Sequence, residues 1–367
     1  MSVCALLFCA GATEVSAQRA QTEVRLELRM QTSRQSAVHE AMPQVRQDVK
    51  HDVSPVLREM FGTQHPGATS GVDTPSAGTE EEEMARSSEN YGTAETTGSV
   101  EEAKEDKLIR HRSAVQSASI VQVETLAAVG TSAGLNFEGV SAALSGWAVP
   151  DTNGAVGTTQ YVQWVNTFYA VYSKASGSLL LGPLAGNKLW TGFGGACETN
   201  NSGDVIAQFD KLANRWVMTQ HATPPGGPYF QCVAVSTTPD ATGSFYRYAF
   251  QLTSLFPDYP KLGVWPDAYY LTINLQTATF GNGGSAICAL DRNSMLNGAA
   301  ATSVCFSTSP TSTSLLPADL DGTNPPPAGA PNYLLNLGAN VINLWKFHVD
   351  FVTPGNSTFT GPVGIPV

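Results

Sequence analysis

The chain has 367 residues, a formal net charge of −11 and only 14% charged residues. An acidic excess argues against a nucleic-acid partner, which would need Lys and Arg gathered on one face. No apolar run is long enough to cross a bilayer as a helix, and 34 Gly with 22 Pro suit strands and turns better than a helical bundle.

The first residues read as a secretory signal over 1–17. The apolar run "CALLFCAGA" precedes Val15-Ser16-Ala17, a small-residue cleavage pattern that leaves Gln18 as the mature start. The basic residues that usually precede such a run are missing, as they would be if the natural start lay upstream of Met1. A secreted or cell-surface location follows. Residues 18–118 form a separate stretch. The part "TEEEEMARSSENYGTAETTGSVEEAKEDK" is acidic and polar, and it cannot bury enough surface to offset chain entropy, so disorder is expected. Weak helical periodicity suggests a short helix around 38–61.

From 119 to 367 aromatic and β-branched residues rise between Gly, Pro and Asn. Strand-length apolar or alternating runs follow: 160–166, 167–174, 204–210, 215–222, 230–238, 244–252, 267–275, 285–292, 332–338 and 342–351. Turns carrying Asp151, Asp204, Asp267 and Asp319 precede apolar strands, at gaps of 53, 63 and 52 residues by subtraction. A period of 50–60 residues with about four strands per unit predicts an all-β, β-propeller-like domain with about four blades visible. The last unit looks cut short, so the four are read as part of a larger ring. A β-sandwich is the alternative. Gly154 and Gly157 are expected to give the first turn its backbone freedom.

Four cysteines lie beyond the signal, an even number that suggests disulfides in an exported chain. Pairing Cys197 with Cys232 and Cys288 with Cys305 closes short loops between neighbouring strands.

The segments "PDTNGAVGTTQYVQWVN", "LWTGFGGACETNNSGDVIAQFDKLANRWVMTQHA", "YFQCVAVSTTPDATGSFYRYAF" and "DYPKLGVWPDAYYLT" resemble a group of secreted bacterial proteins with a β-propeller-like, sialidase-like or kelch-like body. The resemblance covers about 135–367. It implies export, an all-β fold and a chain truncated at its C-terminus. It implies no reaction.

Three constellations could carry function. The Gly-rich loop "GGACETNNSGD" offers Glu198, Asn200, Asn201 and Asp204, with Trp190 and Trp216 near by in sequence. Polar groups beside aromatic faces suit carbohydrate, and the alternative is a structural connecting loop. Asp319 and Asp321, followed by Gly322, resemble the start of a calcium loop, against the alternative of an Asx-stabilised turn. Calcium is the only cofactor the residues suggest. A sialidase-like glycosidase would draw on Arg215, Arg247 and Arg292 with Tyr246 or Tyr269 and an acid such as Glu198 or Asp204. The expectation is an exported binding or scaffold module for a glycan or cell-surface protein, with the hydrolase as the alternative.

Overall fold

In the computed structural model, residues 42–62, 134–141, 144, 150–322 and 324–367 are described. Alternation sets the architecture. In the second and third sheets one set of side chains packs on the sheet before and the other set on the sheet after. Four antiparallel meanders follow one another along the chain, and none closes into a barrel.

The first sheet is β3 (Thr152–Val156), β4 (Gln160–Val165), β5 (Phe168–Ser173) and β6 (Leu179–Ala185). The second is β7 (Ile206–Asp210), β8 (Arg215–Ala222), β9 (Phe230–Ser236) and β10 (Phe245–Gln251). The third is β11 (Phe256–Val264), β12 (Tyr269–Gln276), β13 (Asn282–Leu290) and β14 (Thr302–Ser307). The fourth is β15 (Leu316–Pro317), β16 (Asn332–Gly338), β17 (Val341–His348) and β18 (Thr358–Pro366).

Three apolar layers join these sheets in sequence order. Trp164, Val171 and Leu181 of the first meet Trp216, Met218 and Ala234 of the second. Val217, Val233 and Tyr248 on the second sheet's other face meet Leu262, Leu271 and Leu290 of the third. Tyr270, Ile287 and Phe306 then meet Leu334, Trp345 and Phe347 of the fourth. A single four-stranded sheet exposes both faces. Stacking neighbours removes that surface from water at about 25 cal/mol per Å².

The N-terminal stretch departs from expectation. Within the segment read as disordered, β1 (Gln44–Gln47) and β2 (Lys50–Val53) lie on the outer edges of the third and second sheets, followed by a short helix at Leu57–Phe61. β1 pairs with β14 and β2 with β10, both antiparallel. Composition hid this strap because its strands are almost wholly exposed and bound through backbone pairing. Its anchors are long-range. Asp52 makes a two-pronged ion pair with the buried Arg247, at 2.8 and 2.6 Å. Asp48 accepts the Ala301 N–H at 2.6 Å, Arg58 pairs with Asp240, and Leu57 is buried in the first interlayer. The predicted signal at 1–17 and the acidic run at 79–107 lie outside the described residues.

Both proposed disulfides are present. Cys288 and Cys305 stand directly opposite each other on β13 and β14. Cys197, however, sits on a one-turn helix, Ala196–Thr199, and ties the loop between the first two sheets to Cys232 on β9.

The repeat register also needs correcting. A non-glycine residue with positive φ stands at or just before the start of β3, β7 and β15, and at a bulge in β11: Asp151, Asp204, Ser314 and Tyr259 respectively. Their gaps in chain order are 204 − 151 = 53, 259 − 204 = 55 and 314 − 259 = 55. Asp151 and Asp204 are therefore equivalent. Asp267 instead belongs to the β11–β12 turn, and Asp319 follows the short β15. Gly154 and Gly157 have no positive φ. They serve close approach: a Cβ on Gly157 would come within 2.6 Å of the Trp216 ring, and one on Gly154 within 2.8 Å of the Val162 carbonyl.

Candidate functional site

The first strands β3, β7, β11 and β15 touch in succession. Each is an edge strand, so its outer backbone groups need partners other than a sheet neighbour. Side chains of adjacent first strands supply several. The Asn153 amide oxygen accepts the Ala207 N–H at 2.9 Å, and Asp204 accepts the Tyr259 N–H at 3.2 Å. Gln208 Nε2 donates to the Leu262 carbonyl at 2.8 Å, and Asp319 accepts the Val264 N–H at 2.7 Å. These bonds join residues 54 or 55 apart in sequence, one repeat each.

Between these strands lies a groove of about 460 Å³. Its walls are Asn153–Val156 of β3 and Ile206–Phe209 of β7, with Lys211, Asp319 and Asp321 at its side. Lys211 Nζ donates to the Asp321 carbonyl at 2.6 Å and to its carboxylate at 3.2 Å. Asp321 is largely exposed, so this ion pair is a solvent-screened rim contact. Burial pushes the Asp319 carboxyl above its ordinary value, opposed by the bond from Val264. Asp319 and Asp321 thus share a loop but have separate partners, and a calcium ion at Asp321 would have to displace the Lys211 ammonium. Among the described residues no three His, Cys, Asp or Glu side chains are placed to hold a metal.

A second polar cluster lies by the residues that open the first strands. The Lys261 ammonium sits 3.4 Å from the centre of the Tyr259 ring. Burial lowers its pKa, and the charges of Asp204, Asp151 and Asp258 oppose that shift. Burial in turn raises the pKa of Asp151, and Lys261 restrains it. Behind Asp204, at 3.7 Å, is Nδ1 of His221. That imidazole is fully buried, and desolvation drops its pKa to about 3, so it is neutral at physiological pH.

The loop singled out in the sequence is spent on local structure. The Glu198 carboxylate accepts the Gly192 and Gly194 N–H groups at 2.8 and 2.5 Å, and the Gly192 bond is the main reason its pKa is lowered. Asn200 donates to the Ala196 carbonyl at 3.0 Å. Asn201 ties the Asn187 N–H to the Thr167 carbonyl across the loop base. Trp190 and Trp216 are fully buried in the layer between the first two sheets, so neither presents a face to a sugar. Of that group only Asp204 reaches the first-strand region.

The arginines do not converge either. Arg247 faces the first interlayer, held by Asp52 and donating to the Leu189 and Thr191 carbonyls. Arg292 is on the other side of the second sheet, bound to the buried Asp210 at 2.7 and 3.0 Å, and Tyr269 donates to the same carboxylate at 2.8 Å. Arg215 donates to the Ala213 and Asn214 carbonyls of its own turn.

Sequence reasoning missed the groove because its β3 wall, Thr-Asn-Gly-Ala-Val, does not read as an apolar strand, and its third side is the loop that carries Asp319 and Asp321. The signal that could have found it is the spacing of about 54 residues between Asn153 and Ala207, and between Asp204 and Tyr259.

Comparison of the chain with protein-family models, curated proteins and solved structures finds no match.

Proposed function

We propose that this chain is an exported, propeller-like binding or scaffold module whose ligand seat is the groove between its first strands. The observation that carries this reading is the convergence of β3, β7 and the Asp319–Asp321 loop on one open polar cleft. Successive sheets that stack face to face, with first strands touching in order, are what blades around a common axis require. Two disulfides fit an oxidising, extracytoplasmic setting. The resemblance to secreted bacterial propeller-like proteins is part of the same proposal.

A glycan or an extended loop of a cell-surface protein suits the groove. Either could use the amide of Gln208, the Lys211–Asp321 pair and backbone groups of β3 and β7, without an apolar pocket. Calcium is not needed for this reading.

The test is a glycan array and a binding screen against purified surface proteins, run with the parent chain and with the double substitution Lys211→Ala, Asp321→Ala. Binding by the parent, weakened at least about tenfold (~1.4 kcal/mol) in the variant, is expected. A ligand bound equally by both would place the seat elsewhere.

A further inference from the structure

Three features of the groove between β3 and β7 narrow what it can hold. The first is backbone. The β3–β4 hairpin closes on the bond from the Gly157 N–H to the Gln160 carbonyl, so Gly157 faces β4. Ladder groups alternate, which turns the N–H and C=O of Gly154 and Val156 to the outer edge. On β7 the Ala207 N–H leaves the sheet for the Asn153 amide, so Phe209, two residues on, presents its N–H and C=O on that same edge. Gly154, Val156 and Phe209 all line the groove, and among the described residues no neighbouring strand pairs with these groups.

The second feature is charge. Lys211 is engaged by Asp321, so the two carboxylates Asp319 and Asp321 share one cation. Gln208 adds an acceptor: its Nε2 donates to Leu262, and its Oε1 is buried without a partner. Asp319 is bonded to Val264, two residues from Leu262, so the anchors of the amide and the carboxylate are about 7 Å apart along β11. This side of the groove therefore offers acceptors and net negative charge, the complement of a Lys or Arg side chain. The third feature is the lack of a flat apolar surface for a sugar ring. Among the lining residues only Phe209 is aromatic, and its ring packs against that of Trp216, with 4.9 Å between centres.

We infer that the groove binds an extended peptide, which adds as a strand to the outer edge of β3 and sets a Lys or Arg side chain on Asp319. The inference rests on the groove's being the ligand seat proposed above. Gly154 and Val156 stand at the two-residue spacing that an added strand needs, so main-chain bonds hold the peptide and the basic side chain selects it.

The experiment probes an array of random heptapeptides with the full chain, its disulfides intact, and measures the strongest binder by fluorescence polarisation. Lys or Arg at one fixed position of the bound set is expected. Asp319→Asn keeps an acceptor for the Val264 N–H and removes the charge, and it should weaken that peptide at least about tenfold. N-methylation of the peptide amides, one at a time, should weaken binding at alternate positions only, because every second amide of an added strand faces β3. That readout alters the peptide alone, so it decides the matter even if Asp319→Asn folds poorly. Bound peptides without a basic residue, equal binding by Asp319→Asn, or N-methyl effects that do not alternate would overturn the inference. No bound peptide, together with a glycan that binds the parent and is lost in Lys211→Ala, Asp321→Ala, overturns it and leaves the seat in place. Peptides bound equally by the parent and by that double variant overturn both.

Discussion

Arg247 is the residue on which the strap depends. Its guanidinium is only 2% exposed and projects from β10, the last strand of the second meander, so it needs a carboxylate partner that the meander itself does not provide. Asp52 is that partner, 195 residues away in sequence. Removing it with Asp52→Ala would leave a buried unpaired cation and cost about 3 kcal/mol or more, read as a lower urea midpoint. By contrast Asp321→Ala, which breaks only a rim pair, should change stability by less than about 1 kcal/mol in the same assay. His221 gives a pH signature. Its folded pKa, about 3, lies below the ordinary value of 6.5. Between those limits the unfolded chain binds the extra proton, so this residue's contribution is fully present above about pH 6.5 and is lost as pH falls towards 3. Urea midpoints measured from pH 7 to pH 4.5 should fall, and less steeply in His221→Gln. A parent and variant with parallel pH profiles would contradict the buried neutral imidazole.

At the level of elements, what could be seen in the sequence followed burial. Strands β4, β5, β8, β9, β10, β12, β13, β16 and β17 are covered on one or both faces, and their apolar runs announce them. β7 was legible too, through "DVIAQFD". β3 lines the groove, β11 carries two prolines and a bulge, β15 is two residues long, and β6 and β18 carry Gly-Pro interruptions, so none of them alternates cleanly. β1 and β2 are polar edge strands that take their order from β14 and β10, about 200 to 260 residues distant. No local pattern encodes such a partner. The disulfide pairs were legible because short loop closure left few arrangements. The candidate site was mostly not, because the conspicuous Gly-rich loop satisfies its own backbone, while the groove is assembled from residues one repeat apart.

The same reasoning explains the division of edge protection. β18 is blunted by proline, as is β6 through Pro183, whereas β10 and β14 have regular outer edges and receive the strap. A chain lacking residues 42–62 should therefore self-associate and precipitate on concentration, and adding the 42–62 peptide should restore solubility. Equal solubility of the truncated chain would show that the edges are protected otherwise. For the cross-links, Cys197→Ala with Cys232→Ala opens a connection spanning 35 residues, and Cys288→Ala with Cys305→Ala one of 17. Chain-entropy arguments give losses of roughly 4 and 3 kcal/mol respectively, to be read from denaturant unfolding of each pair variant.

For the whole molecule, the account rests on order: each sheet covers the next, and the first strands touch in succession, with an open groove between β3 and β7. Side-chain bonds one repeat apart hold that arrangement at the centre, and the strap holds it at the periphery. The two together leave an open groove bordered by β3, β7 and the Asp319–Asp321 loop, the ligand seat proposed above. A crystal structure of the full chain tests this most directly. It should show four consecutive meanders stacked in sequence order, with β3, β7, β11 and β15 touching in that order and Asn153 bonded to the Ala207 amide. Two face-packed layers built from strands of non-consecutive segments, with those first strands scattered over different edges, would contradict it.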